Sequence, residues 1–159
     1  MAFLDLARGA RQRYDSSMDI HEVYRGRLID HLQLVVPDIE RSKRFYKAVF
    51  EVLGIPLGGE GPGFFWADEL FVSDTQSKAS SGVATGRSHF AFQAKDQEMV
   101  NRFHRVGLEA GGRDNGAPGV RLYHPGYYAA FLLDPDGHNV EAVFHGAAQR
   151  SADAIKLTF

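Results

Sequence analysis

His31 and His89 stand 58 residues apart, and their surroundings repeat at the same spacing. Asp38 and Asp96 keep that offset, as do Phe45 and Phe103, and Gly54 and Gly112. Each histidine belongs to an alternating stretch, so its face can be read off the pattern. His31 shares one face with Gln33 and Val35, opposite Leu32, Leu34 and Val36. His89 shares one with Ala91 and Gln93, opposite Phe90 and Phe92. Further on, Glu141 lies with Asn139, Val143 and His145, against Val140, Ala142 and Phe144. If the two halves pair about a pseudo-twofold axis, these faces converge and His31, His89 and Glu141 line one concavity. Two imidazoles and a carboxylate suit one divalent metal ion and leave coordination positions open for a small-molecule substrate. The donor set does not choose among Zn, Ni, Mn and Fe(II). A lone strand histidine is ordinarily structural; the repeat symmetry and the matching face of Glu141 make this trio the exception.

Around the trio stand weaker candidates. Gln33 and Gln93 share the histidine faces and could contact substrate or orient a ligand. Tyr127 and Tyr128, with Tyr123, surround His124-Pro125-Gly126, and one hydroxyl could reach a substrate oxygen; core packing is the alternative for each. His104 occupies the position equivalent to Tyr46 and reads as structural, while His145 flanks the face of Glu141. The glycine-rich run 57–63 lacks the Lys-Ser/Thr of a phosphate loop and reads as an inter-strand loop. No general acid or base can be named from these residues.

The elements that must position them form the same unit twice. After each alternating stretch an aspartate, Asp38 or Asp96, can cap a helix, with Glu40 or Glu98 in the first turn where the dipole favours negative charge. Ile39, Phe45, Tyr46, Val49, Phe50 and Leu53 recur at helical spacing, as do Met99, Val100, Phe103, Val106 and Ala110. Gly54 and Gly111-Gly112 stop the two helices. Short strands follow: 64–67 and 70–73 in the first half, 127–133 and 138–145 in the second. Asp134-Pro135-Asp136-Gly137 forms the turn between the latter pair. The expectation is an α+β chain of two tandem βαβββ modules, 28–74 and 87–146, joined by a linker over 75–86. An N-terminal extension covers 1–27 and a tail covers 147–159, the latter a strand or a helix.

Composition excludes several classes. The 159 residues carry a formal charge of −2 with no long basic run, which argues against nucleic acid as a partner. No apolar run approaches the roughly 18 residues that span a membrane, and no secretory h-region is present. Cysteine is absent, which removes disulfides, thiolate metal sites and cysteine nucleophiles, and fits a reducing, cytoplasmic setting.

The pattern resembles the vicinal oxygen chelate superfamily of glyoxalases, bleomycin resistance proteins and extradiol dioxygenases. The resemblance spans 28–146. It rests on Asp30-His31-Leu32 leading to Pro37-Asp38, on Ser88-His89-Phe90-Ala91-Phe92, and most of all on 128–141, with its Asp-Pro-Asp-Gly turn and Glu141. It implies paired modules in a cupped mixed sheet around a metal held by His31, His89 and Glu141. It implies an enzyme that stabilises an enolate or alkoxide on a small oxygenated metabolite, as a glyoxalase-like lyase or isomerase, or as a dioxygenase. Two departures stand out. The family's fourth ligand position falls near Phe71, with Asp68 and Glu69 in the preceding turn, and the acid-base tyrosine of the dioxygenases is replaced by Phe131. The alternatives are a non-catalytic binder that sequesters a small molecule, as bleomycin resistance proteins do, and an assembly or regulatory domain. With both modules in one chain, a monomer could complete its own site; a homodimer is the other arrangement.

Overall fold

The computed structural model describes residues 22–25, 29–77, 83–149, 152 and 154–158. Most of the N-terminal extension and part of the expected linker therefore lie outside the described residues.

The first module opens on β2 (Leu32–Val36), enters α1 (Ile39–Leu53), and closes with β3 (Gly59–Gly61), β4 (Phe64–Ala67) and β5 (Leu70–Asp74). The second repeats the order with β6 (His89–Gln93), α2 (Gln97–Glu109), β7 (Arg113–Val120), β8 (Tyr128–Leu133) and β9 (Asn139–Phe144). Before them, β1 (Glu22–Arg25) pairs antiparallel with β10 (Ile155–Thr158), so the tail supplies a strand. The module sheets have equivalent orders, β2-β5-β4-β3 and β6-β9-β8-β7. In each, the first strand runs parallel to the last. The α+β fold with two βαβββ modules is thus observed.

Local chemistry explains the helix boundaries. The Asp38 carboxylate accepts from the Arg41 amide at 3.0 Å, and that of Asp96 from the Met99 amide at 2.7 Å. Each cap satisfies one orphan donor of a first turn and contributes about 1 kcal/mol. Gly54 ends α1 at φ 74°, a left-handed conformation that costs glycine nothing.

Both helices join one core with one face of each sheet. Leu34, Val36, Phe65 and Val72 pack there from the first sheet, and Ala130, Leu132, Val140 and Ala142 from the second. Phe50 of α1 meets Phe92 of β6 edge to face, with ring centroids 5.4 Å apart. The opposite faces, with Gln33, Phe71 and Ser73 on one sheet and His89, Phe131 and Glu141 on the other, are therefore both turned away from the shared core. Within one chain they do not converge, contrary to the sequence expectation of a single concavity closed by the two modules.

A polar clamp adds to this contact. The β8–β9 turn places Asp136 against α1, where its carboxylate accepts from Arg41 and from the Ser42 hydroxyl, both at 2.6 Å. Asp134, fully buried, accepts from the Tyr46 hydroxyl at 2.6 Å and from the amides of Asp136 and His138. Burial first, and the adjacent Asp134 charge second, push the Tyr46 hydroxyl well above the ordinary tyrosine range. The turn that the sequence marks as a hairpin thus also ties the second module to the first helix.

Candidate functional site

Glu141 lies on β9 between β6 and β8, opposite Ala91 and Phe131 in register. Its side chain is buried, and burying a carboxylate is unfavourable unless its oxygens find partners. They do. Oε1 accepts from the Tyr127 hydroxyl at 2.6 Å, and Oε2 lies 3.3 Å from His89 Nε2. The same contact, with desolvation as the larger cause, raises the Tyr127 hydroxyl to about 12, so it is a proton donor to Glu141 at any ordinary pH.

The His89 ring is fixed from its other side. Nδ1 lies 3.0 Å from the Asn139 carbonyl oxygen. A carbonyl only accepts, so Nδ1 carries a proton, and Nε2 is the ring atom that faces Glu141. A proton on Nε2 or a cation between Nε2 and Oε2 makes this approach favourable. Their separation matches the edge of a coordination tetrahedron with Zn–N and Zn–O bonds of about 2.0–2.1 Å. The orienting groups, a carbonyl behind the histidine and a hydroxyl behind the carboxylate, are those that metal ligands ordinarily carry. The pair therefore fits a divalent metal as two of its protein ligands.

His31 is elsewhere. It precedes β2, its side chain is 66% exposed, and its Nδ1 contacts Asp30 Oδ1 at 2.7 Å. No three His, Asp or Glu side chains gather to hold a metal among the described residues. One chain thus brings together His89 and Glu141 but not His31.

The weaker candidates separate. Tyr127 reaches the site, through Glu141 rather than as an isolated pocket residue. Tyr128 points to the helix side, where its hydroxyl donates to Asn101 at 2.9 Å, which removes it from the face of Glu141. Gln93 is exposed on the His89 strand and borders a cavity of about 320 Å³ that is walled by Phe50, Leu53, Phe90 and Phe92. Gln33 donates to Ser73 at 2.9 Å on the first sheet. His145 pairs with His124, Nδ1 to Nε2 at 2.9 Å, and both rings pack on Tyr127. His104 pairs with Asp114 at 2.7 Å, and that bond chiefly lowers the Asp114 carboxyl from its ordinary value.

Arg121 directly follows β7 on the same sheet. Its guanidinium stands 5.3 Å above the Phe131 ring, which in turn lies 6.2 Å from the His89 ring. Phe131, where a tyrosine would supply acid-base chemistry, instead forms an apolar floor between a cation and the histidine. Strand register alone could have placed Phe131 beside Glu141; the fold of 113–121 was needed to place Arg121.

The model of the Glyoxalase/Bleomycin resistance protein/Dioxygenase superfamily matches residues 28–142. Among solved structures, a glyoxalase/bleomycin resistance protein from Albidiferax ferrireducens is 30% identical, with a TM-score of 0.58 over 72% of this chain and 96% of that one. A glyoxalase-related enzyme from Fulvimarina pelagi shares the fold at 21% identity, with a TM-score of 0.64 over 82% and 97% of the two chains. A lactoylglutathione lyase from Agrobacterium tumefaciens does so at 24% identity and a TM-score of 0.53, over 72% and 91%. No curated protein matches.

Proposed function

We propose, since the chain belongs to the Glyoxalase/Bleomycin resistance protein/Dioxygenase superfamily, that it is a metal-dependent enzyme acting on a small oxygenated metabolite. The observation that carries this reading is the His89–Glu141 pair, 3.3 Å apart, with Nδ1 committed to a carbonyl and Oε1 to a tyrosine. A bound divalent ion would act there as a Lewis acid toward developing enolate or alkoxide charge. His89 and Glu141 would hold it. Tyr127 keeps one carboxylate oxygen in place, the Asn139 carbonyl sets the imidazole tautomer, and Phe131 shields one side from water. A binder that only sequesters its ligand would not require this orientation of two donors.

The third ligand of the reading is His31, supplied by a second copy of the chain. The two outer faces point away from the shared core, so a monomer cannot join them without unpacking α1 and α2. Large apolar side chains lie exposed near both half-sites: Ile29 and Leu32 beside His31, and Val120, Leu122 and Tyr123 beyond the Arg121 strand end. Exposed apolar groups gathered in this way mark a surface to be covered. The proposal is therefore a homodimer in which the first module of one copy faces the second module of the other. Among the described residues no helix is long and apolar enough to cross a membrane.

The test is to strip the purified chain of metal and reload it with Zn, Ni, Mn or Fe(II) in turn, measuring bound ion by mass spectrometry. One tight equivalent per chain is expected for at least one ion, with turnover of an α-hydroxycarbonyl compound, a thiol adduct or a catechol under that ion. Absence of stoichiometric binding for all four would overturn the metalloenzyme reading.

A further inference from the structure

The seam between the two modules holds a cavity that neither His89 nor Glu141 lines. Its volume is about 320 Å³, at the lower end of the range for small-molecule pockets. The first module supplies Phe50 and Leu53 from α1, and the second supplies Phe90 and Phe92 from β6. Phe92 packs edge to face on both other phenylalanines, with ring centroids 5.4 and 5.5 Å away, so the aromatic wall is braced across the seam. Ile29 and Leu32 also line the cavity and are exposed, so it opens to solvent. Water against that much hydrocarbon is readily displaced by an apolar group.

The cavity also has a polar end. Asp68 and Glu69 line it from the two-residue turn between β4 and β5. Asp68 takes φ 43°, a left-handed conformation that tight hairpin turns demand and aspartate tolerates. The Leu32 amide donates to the Glu69 carbonyl at 2.6 Å, which ties the turn to the start of β2. Both carboxylates are therefore half-buried on a short, anchored segment beside hydrocarbon, where charge acts more strongly than in bulk water. Gln93 is the third polar residue of the lining, and no lysine, arginine or histidine is among its described residues. We propose that this seam cavity binds a protonated primary amine on a compact aryl or branched alkyl body. Its size suits about ten non-hydrogen atoms at about 30 Å³ each. An ammonium has three N–H donors, and two carboxylates with one amide oxygen offer the matching acceptors. All the walls belong to one chain, and the proposal stands apart from the metal-site reading.

The experiment titrates the full-length, metal-stripped chain with phenethylamine, phenethyl alcohol and phenylacetate, which share an aryl body and differ in charge at the head. NMR follows the methyl resonances of Ile29, Leu32, Leu53, Ile55 and Leu70, all of which line the cavity. The amine is expected to shift these methyls and to bind about fivefold or more tightly than either the alcohol or the anion. Asp68→Asn combined with Glu69→Gln should bring the amine to the level of the alcohol. Asparagine accepts the left-handed turn position as aspartate does, so the hairpin is kept. A smaller preference for the amine in the wild-type chain, a comparison that needs no variant, would overturn the proposal. So would an amine affinity unchanged in the double variant, or shifts confined to residues outside the cavity. Methyl shifts that follow protein concentration, while none of the three compounds moves them, would show that a second copy fills the cavity and would also overturn it. The metal reading is tested separately by the ion titration and is untouched by any of these results.

Discussion

Glu141→Gln should abolish stoichiometric metal binding, lowering divalent affinity by at least about two orders of magnitude while leaving the chain folded. The substitution keeps shape and volume but removes the negative charge that a metal ligand supplies. Tyr127 can still donate to the amide oxygen, so its hydroxyl is not stranded, and the cost to folding stays small. Calorimetric titration of stripped protein with Zn or Ni measures the loss, and urea unfolding of both forms measures stability. Affinity within threefold of the wild type would mean that Glu141 is not a ligand and that its burial between Tyr127 and His89 serves packing alone. Unfolding of the variant would instead assign Glu141 a structural role.

Asp134→Ala should destabilise the chain by about 3 kcal/mol. The carboxylate is fully buried and accepts three hydrogen bonds, from the Tyr46 hydroxyl and from the amides of Asp136 and His138. Alanine strands all three donors where water cannot reach them, and each buried unsatisfied donor costs about 1–3 kcal/mol. Turn relaxation recovers part of that, since the two amides are near a surface loop. For a domain of this size the loss corresponds to a fall in Tm of about 10 °C. Tyr46→Phe removes only the hydroxyl and should cost less, about 1–2 kcal/mol. A Tm for Asp134→Ala within 2 °C of the wild type would show that the clamp between the modules contributes nothing net.

These residues also show where sequence was informative. The βαβββ repeat was legible because each half has a strand of period two followed by a capped helix of period 3.6, and both aspartate caps occur where the pattern places them. Strand β7 was not legible. Its sequence, Arg113-Asp-Asn-Gly-Ala-Pro-Gly-Val120, has no alternation, and its pairing with β8 shifts register twice. It is held by its neighbours rather than by its own pattern. Strand β3, Gly59–Gly61, lies inside a run that reads as a loop, because an edge strand of glycines carries no hydrophobic signal.

At the site, the faces of His89 and Glu141 followed from alternation alone, and their 3.3 Å contact agrees with it. Tyr127 was one of the tyrosines that could reach a substrate oxygen, and its hydroxyl holds Glu141; its neighbour Tyr128 lies on the helix side, one residue on along a strand being the opposite face. The separation of His31 was not readable, because local periodicity says which face a residue takes and nothing about how two modules are packed. That is decided by side chains such as Phe50 against Phe92 and Tyr46 against Asp134, whose partners are remote in sequence.

Metal binding by a mixture of two defective variants tests the shared site most directly. His31→Ala and Glu141→Gln should each fail to bind metal alone. If His31 of one copy joins His89 and Glu141 of another, a mixed dimer rebuilds one complete site from its two intact halves. Unfolding and refolding the two variants together in equal amounts should therefore restore tight binding, to about a quarter of an equivalent per chain for random pairing. Restoration to that level, seen by mass spectrometry of the refolded dimer, is the predicted result. No metal in the mixture would contradict it, as would a full equivalent retained by His31→Ala alone, which would leave His89 and Glu141 to bind without His31.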